Sequence, residues 1–94
     1  MITKKQRLRI KQRMTEEKPT LWIGKNGVTE EVVDEVKKQL KSNEVVKIRI
    51  LKKAFTQQSM KEVTNKLLDH TESELIDARG HTIILYKVRQ ATSL

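Results

Sequence analysis

The chain has no cysteine, one proline, three glycines and only three aromatic residues in a length of 94. Without cysteine there is no disulfide framework, no thiolate chemistry and no cysteine zinc site, and cytoplasmic residence is the expectation. No apolar run follows the basic residues near the start, so no secretory signal is expected, and no stretch approaches the length of a membrane span. Trp22, Phe55 and Tyr86 are the only aromatics. If the partner is a nucleic acid, base stacking cannot dominate its recognition, and backbone and shape should carry affinity.

Catalytic signals are equally scarce. His70 and His81 fall in a helix end and a hairpin turn, and no cysteine completes a zinc site around either. Asp69 and His70 are neighbours on a helix and face different directions. Ser59 and Ser73 lack the strand–turn–helix setting of a nucleophile elbow. No enzyme activity, cofactor or metal is expected.

What the chain does contain is positive charge. Twenty Lys and Arg stand against twelve Asp and Glu, a formal net of +8. Residues 1–28 hold eight of the bases and only two acids, so most of the excess sits in the first third. Such a concentration suits a polyanion, either nucleic acid or an acidic membrane surface. A basic but merely well-solvated protein is the bland alternative.

Residues 3–14 read as a helix with Thr3 as N-cap. Ile10 and Met14 stack along it with Leu8 beside them, and the remaining surface is largely lysine and arginine. Pro19 closes the connection that follows. Leu21, Trp22 and Ile23 form a short strand, with Leu21 and Ile23 on one face. Trp22 invites a base-stacking reading, but packing beneath the first helix is the expected use. Thr29 caps a second helix with Glu30 and Glu31 in its first turn, and Val32, Val33, Val36 and Leu40 form its apolar stripe. Residues 45–51 alternate as a strand, with Val46, Ile48 and Ile50 inward and Lys47 and Arg49 on a basic face in water.

A third helix follows, with Met60, Val63, Leu67 and Leu68 on its buried side; Phe55 belongs to its start or to the loop before it. Residues 75–78 and 83–86 are strands joined by a glycine-first turn at Gly80 and His81. The uninterrupted apolar run of the last strand suits one covered on both faces. The order is α-β-α-β-α-β-β, a layered α/β sandwich with a four-stranded mixed sheet. Its first two strands should be parallel through a right-handed crossover, and its last two antiparallel. Residues 1–90 form one domain, and residues 91–94 a flexible tail.

Gly24, Lys25, Asn26 and Gly27 lie between a strand and a capped helix. Glycines let a backbone approach a phosphate closely, and a lysine adds a point charge. The spacing fails as a P-loop and as a dinucleotide fingerprint. It also differs from the K-homology loop, which joins two helices.

The run Pro19-Thr20-Leu21-Trp22-Ile23-Gly24-Lys25-Asn26-Gly27-Val28-Thr29, followed by Val32, Val36 and Leu40, resembles the signature of the CRM domain (chloroplast RNA splicing and ribosome maturation), the family that includes the bacterial YhbY-like proteins. Glu44-Val45-Val46-Lys47-Ile48-Arg49-Ile50, Arg79-Gly80-His81-Thr82-Ile83-Ile84-Leu85-Tyr86-Lys87 and the opening Lys4-Lys5-Gln6-Arg7-Leu8-Arg9 agree with it in order. Residues 52–59 and the third helix match least, and no role is carried onto them. The resemblance implies a stand-alone RNA-binding domain with a fold similar to the C-terminal domain of bacterial translation initiation factor three. It also implies association with precursors of the large ribosomal subunit.

The expected function is therefore non-catalytic binding of structured RNA, ribosomal RNA or a pre-ribosomal particle, by a monomer. The expected contacts are Gly24, Lys25, Asn26 and Gly27 in the loop, Lys4, Lys5, Arg7, Arg9, Lys11 and Arg13 on the first helix, and Lys47 and Arg49 on the second strand. A protein-docking module using the basic first helix is the alternative, and exposure of Leu8, Ile10 and Met14 would favour it. An anionic membrane is a weaker partner, because that helix lacks aromatic anchors and a wide apolar face.

Overall fold

Each helix begins at a hydroxyl. Thr3 accepts a hydrogen bond from the Gln6 amide at 3.1 Å while the Gln6 side chain accepts from the Thr3 amide at 2.9 Å, a reciprocal capping box. Ser59 and Glu62 repeat the arrangement, and Thr29 accepts from the Val32 amide at 3.2 Å. These caps start α1 (Lys4–Thr15), α3 (Met60–Thr71) and α2 (Glu30–Asn43). The strands are β1 (Leu21–Ile23), β2 (Val45–Ile50), β3 (Glu74–Arg79) and β4 (Thr82–Tyr86), with a 3-10 turn at Lys52–Phe55. The computed structural model describes residues 2–55 and 59–88, so the expected tail at 91–94 lies outside the described residues. Phe55 closes the 3-10 turn and precedes the third helix.

The strands form one mixed sheet in the order β1-β2-β4-β3. β1 and β2 are parallel, as a helical crossover through α2 requires, and the other two pairings are antiparallel. The apolar run of β4 lies in the sheet interior, with Ile83, Ile84 and Leu85 all buried. Gly80 takes φ 60° at the first position of the two-residue turn, a conformation that favours glycine.

The faces are covered unequally. On one, α2 and α3 bury Val36, Leu40, Val63 and Leu67 against Ile23, Val46, Ile48, Ile50, Ile83 and Leu85. Burying each such aliphatic side chain stabilises the fold by about 1.5–3 kcal/mol. On the other, α1 alone packs Met14 and half-buried Ile10 onto Val45, Ile76, Ile84 and Tyr86. The result is a three-layer sandwich in which, among the described residues, α1 is by itself on the second face.

A bulge in β3 determines what that second face carries. Leu75 pairs with Leu85 and Asp77 with Ile84, leaving Ile76 as the extra residue. Ile76 and Asp77 consequently share the α1 side, and Arg79 follows them there opposite Thr82. Strict alternation would have sent Asp77 and Arg79 towards the main core.

Two expectations fail on this face. Lys47 does not extend into water: its ammonium donates to the carbonyls of Met14, Thr15 and Glu17 at 2.7, 3.2 and 2.8 Å. It gathers carbonyls at and beyond the C-terminus of α1, one of which, that of Met14, also accepts from the Glu17 amide at 3.2 Å, and a cation there complements the helix dipole. Trp22 does not pack beneath the first helix, and 54% of it is exposed. Register explains this, because α1 covers the rows containing Val45 and Ile84 but stops short of the row containing Trp22.

Replacing Lys47 with methionine keeps the aliphatic stem and removes all three bonds. Lys47→Met should destabilise the domain by about 1.5–3 kcal/mol, the usual contribution of hydrogen bonds from a charged donor. Thermal unfolding followed by circular dichroism should show a midpoint lower by roughly 6–15 °C.

Candidate nucleic-acid interface

α1 carries six cations and no carboxylate. Its contacts divide them. The Arg7 guanidinium donates to the Leu75 carbonyl on β3, and the Lys11 ammonium lies 3.8 Å from Asp77. Lys4, Lys5, Arg9 and Arg13 are exposed. Arg9 and Arg13 border an open groove of about 430 Å3 between the helix and the sheet end at Asn43, Glu44 and Tyr86. Thus Arg7, Lys11 and Lys47 hold the layers together, and the other four α1 cations face solvent.

The opposite layer differs. α2 presents Glu30, Glu31, Asp34 and Glu35 against three lysines, so its charges nearly cancel. Positive potential therefore concentrates on the α1 side, where a polyanion gains most.

The loop after β1 is a tight turn in which the Gly27 amide donates to the Gly24 carbonyl at 2.9 Å. Lys25 and Asn26 are exposed at its tip, and both glycines are half-buried. Gly27 has φ 66°, where a side chain is strained. Gly24 has no such constraint, since an added Cβ would meet only the Leu51 side chain at 3.9 Å. Between the loop and α2 lies an open groove of about 630 Å3, bordered by Lys25 and by Glu30, Glu31 and Glu35. A phosphate entering there would meet three carboxylates and one lysine. The capped N-terminus of α2 is thus a poor anion site, and the loop offers its cation at the tip.

Arg49 is exposed, and its neighbours across the sheet define the second cationic feature. Trp22 pairs with Arg49, Arg49 with Thr82, and Thr82 with Arg79, so the four form one cross-strand row on one face. The Ile50 amide donates to the His81 carbonyl at 2.7 Å and ties the β3–β4 turn to the end of β2. Sequence reading missed Arg79 in this row. Alternation gave no sign of the bulge that places it there.

Among the described residues no three His, Cys, Asp or Glu side chains are grouped to hold a metal, and no helix is long and apolar enough to cross a membrane. What the α1 face does combine is a carboxylate-free helix and a sheet row bearing two arginines, with the Lys25 turn beyond the end of β1 on the α2 side, on a three-layer αβαβαββ frame. The chain belongs to the CRS1/YhbY (CRM) domain family, whose model matches residues 2–87.

Among its relatives is the probable RNA-binding protein MJ0652 of Methanocaldococcus jannaschii, 33% identical over 72 residues that span 77% of this chain and 53% of that protein. This chain thus spans about half the length of that relative. The probable RNA-binding protein YqeI of Bacillus subtilis is 26% identical over 87 residues, 93% of this chain and 88% of its own length. The solution structure of the Staphylococcus aureus protein SAV1595, a proposed RNA binder, superposes with a TM-score of 0.76 at 27% identity, covering 99% of this chain and 95% of that one.

The two glycines should separate in mutagenesis. Gly27→Ala should lower the thermal midpoint by roughly 4–8 °C, the result of about 1 kcal/mol of left-handed strain. Gly24→Ala should leave the melting curve within about 2 °C of the parent, because its Cβ meets only an ordinary contact.

Proposed function

We propose that this chain binds structured RNA without catalysis, through the exposed cations of α1 together with the Lys25 turn and the Arg49 row. The observation that carries this reading is the one-sided charge of the three-layer fold: α1 has six cations and no acid, whereas α2 is nearly balanced. Membership in a family with relatives named for RNA binding points to the same partner. Lys4, Lys5, Arg9 and Arg13 are the primary phosphate contacts, with Lys25, Asn26 and Arg49 beside them. Gly24 and Gly27 shape the turn that presents Lys25. Arg7, Lys11 and Lys47 contribute to the field of this face while their heads make internal contacts.

Within this reading, the RNA is ribosomal and the setting is maturation of the large subunit in the cytoplasm, as the CRM resemblance implies. The docking alternative loses its main support, since Met14 is buried and Ile10 half-buried beneath α1, leaving only Leu8 of that seam exposed.

Binding by backbone charge has a measurable signature. Filter binding of an rRNA fragment over a salt series should give a log–log slope of about −3 to −5, one counterion or slightly less per phosphate contact. The double variant Arg9→Gln/Arg13→Gln should flatten that slope by about two and weaken binding to all RNAs alike. Lys25→Ala should weaken binding with no change in melting temperature. Affinity that does not change between low and moderate salt would refute the proposal. Crosslinking in cells followed by sequencing of the bound fragments tests the ribosomal part, which requires rRNA to dominate the recovered sequences.

A further inference from the structure

The cross-strand row of Trp22, Arg49, Thr82 and Arg79 lies beyond the reach of α1. Trp22 is the only tryptophan of the chain, and more than half of it is open to solvent on a sheet strand held from below by fully buried Ile23. Its direct neighbour on β2 is a cation, and a second cation, Arg79, ends the row with its side chain 70% exposed. Strands stand about 4.8 Å apart, so the row runs roughly 14 Å across the sheet. Beside it opens a cleft of about 170 Å3 bordered by Thr15, Lys47, Asp77, Arg79, Thr82 and Ile84. Asp77, the one carboxylate among the described residues that border this cleft, lies 3.8 Å from Lys11 and 3.9 Å from Arg79, which offsets its repulsion of a phosphate.

We propose that this row is a docking platform for an unpaired segment of RNA. One base stacks on the Trp22 indole, Arg49 and Arg79 hold the flanking phosphates, and Thr82 and Asp77 offer hydrogen-bonding groups to the edge of a second base. The inference rests on the RNA-binding reading and deepens it by naming the RNA feature that this row takes. Charge complementarity favours RNA as the occupant, because an aromatic face flanked by two arginines offers stacking and phosphate contacts together. A duplex keeps its bases stacked on each other and presents only backbone and grooves to such a surface. The platform therefore distinguishes a loop, bulge or single-stranded end from a continuous helix, which the cations of α1 do not.

The single tryptophan makes the test direct. The full chain is titrated at low salt with a ten-nucleotide oligouridylate and, separately, with a blunt paired RNA duplex, both fluorescently labelled. Tryptophan emission and label anisotropy are read together. The single strand should quench Trp22 saturably, and the duplex should bind with little quenching. Trp22→Ala should weaken single-strand binding on the order of tenfold and duplex binding by less than about twofold, and Trp22→Phe should recover most of the loss.

Unchanged single-strand affinity in Trp22→Ala, with its melting temperature intact, would overturn the platform and leave the RNA-binding reading standing. If anisotropy shows that neither RNA binds, the RNA-binding reading falls and the platform falls with it. If sedimentation of the protein alone shows a dimer that Trp22→Ala dissociates, the row is an interface between copies of the chain, and the platform is overturned.

Discussion

A four-stranded sheet has two faces to cover, and the described residues supply two helices for one and one for the other. α2 and α3 together enclose the face built from Ile23, Val46, Ile48, Ile50, Ile83 and Leu85. A single helix about 10 Å wide cannot cover every cross-strand row of one face, because successive rows lie about 7 Å apart along the strands. α1 lies over the rows containing Val45 and Ile84, and the row nearest the loop end remains open. The exposure of Trp22 and Arg49 is a consequence of this mismatch in coverage. So is the need to anchor α1, which buries only Met14 fully and has a short apolar seam.

The anchoring is polar. Arg7 reaches the Leu75 carbonyl, Lys11 approaches Asp77, and Lys47 reaches up from β2 to three carbonyls at the end of the helix. Side chains that look interchangeable as bases thus divide into those that attach the helix and those that face outwards. Because the anchors are themselves cations, holding the helix in place adds to the positive potential of its face. The same layer that completes the fold therefore concentrates the charge suited to a polyanion.

Much of the architecture was legible in the residues. The hydroxyl caps at Thr3 and Thr29, the aliphatic stripe of α2, the alternation of β2 and the glycine-first turn each report a local conformation whose cause lies within a few residues. The second capping partner at Gln6 and the Ser59–Glu62 box carried a readable signature that was overlooked. Arg79 was less accessible, because a bulge at Ile76 obeys no local rule and reverses the side of every residue after it. The glycine loop was recognised as a turn carrying a cation, yet the groove beside it is bordered by Glu30, Glu31 and Glu35, the first two of which had marked the start of the helix.

By itself the sequence determined which segments are helix and strand, which side chains enter the main core, and that positive charge crowds the first third of the chain. All of these depend on short-range periodicity and composition. Only the tertiary structure decided the fate of individual polar and aromatic groups. Lys47 and Arg49 are two residues apart on one strand face, but one is taken up by the end of α1 and the other lies in the open row. Trp22 follows Leu21 by one position and is exposed because the helix passes over different strand rows. The physical reason is that burial on a sheet surface depends on where a separate element crosses it, and that crossing is set by long-range packing that no local pattern encodes.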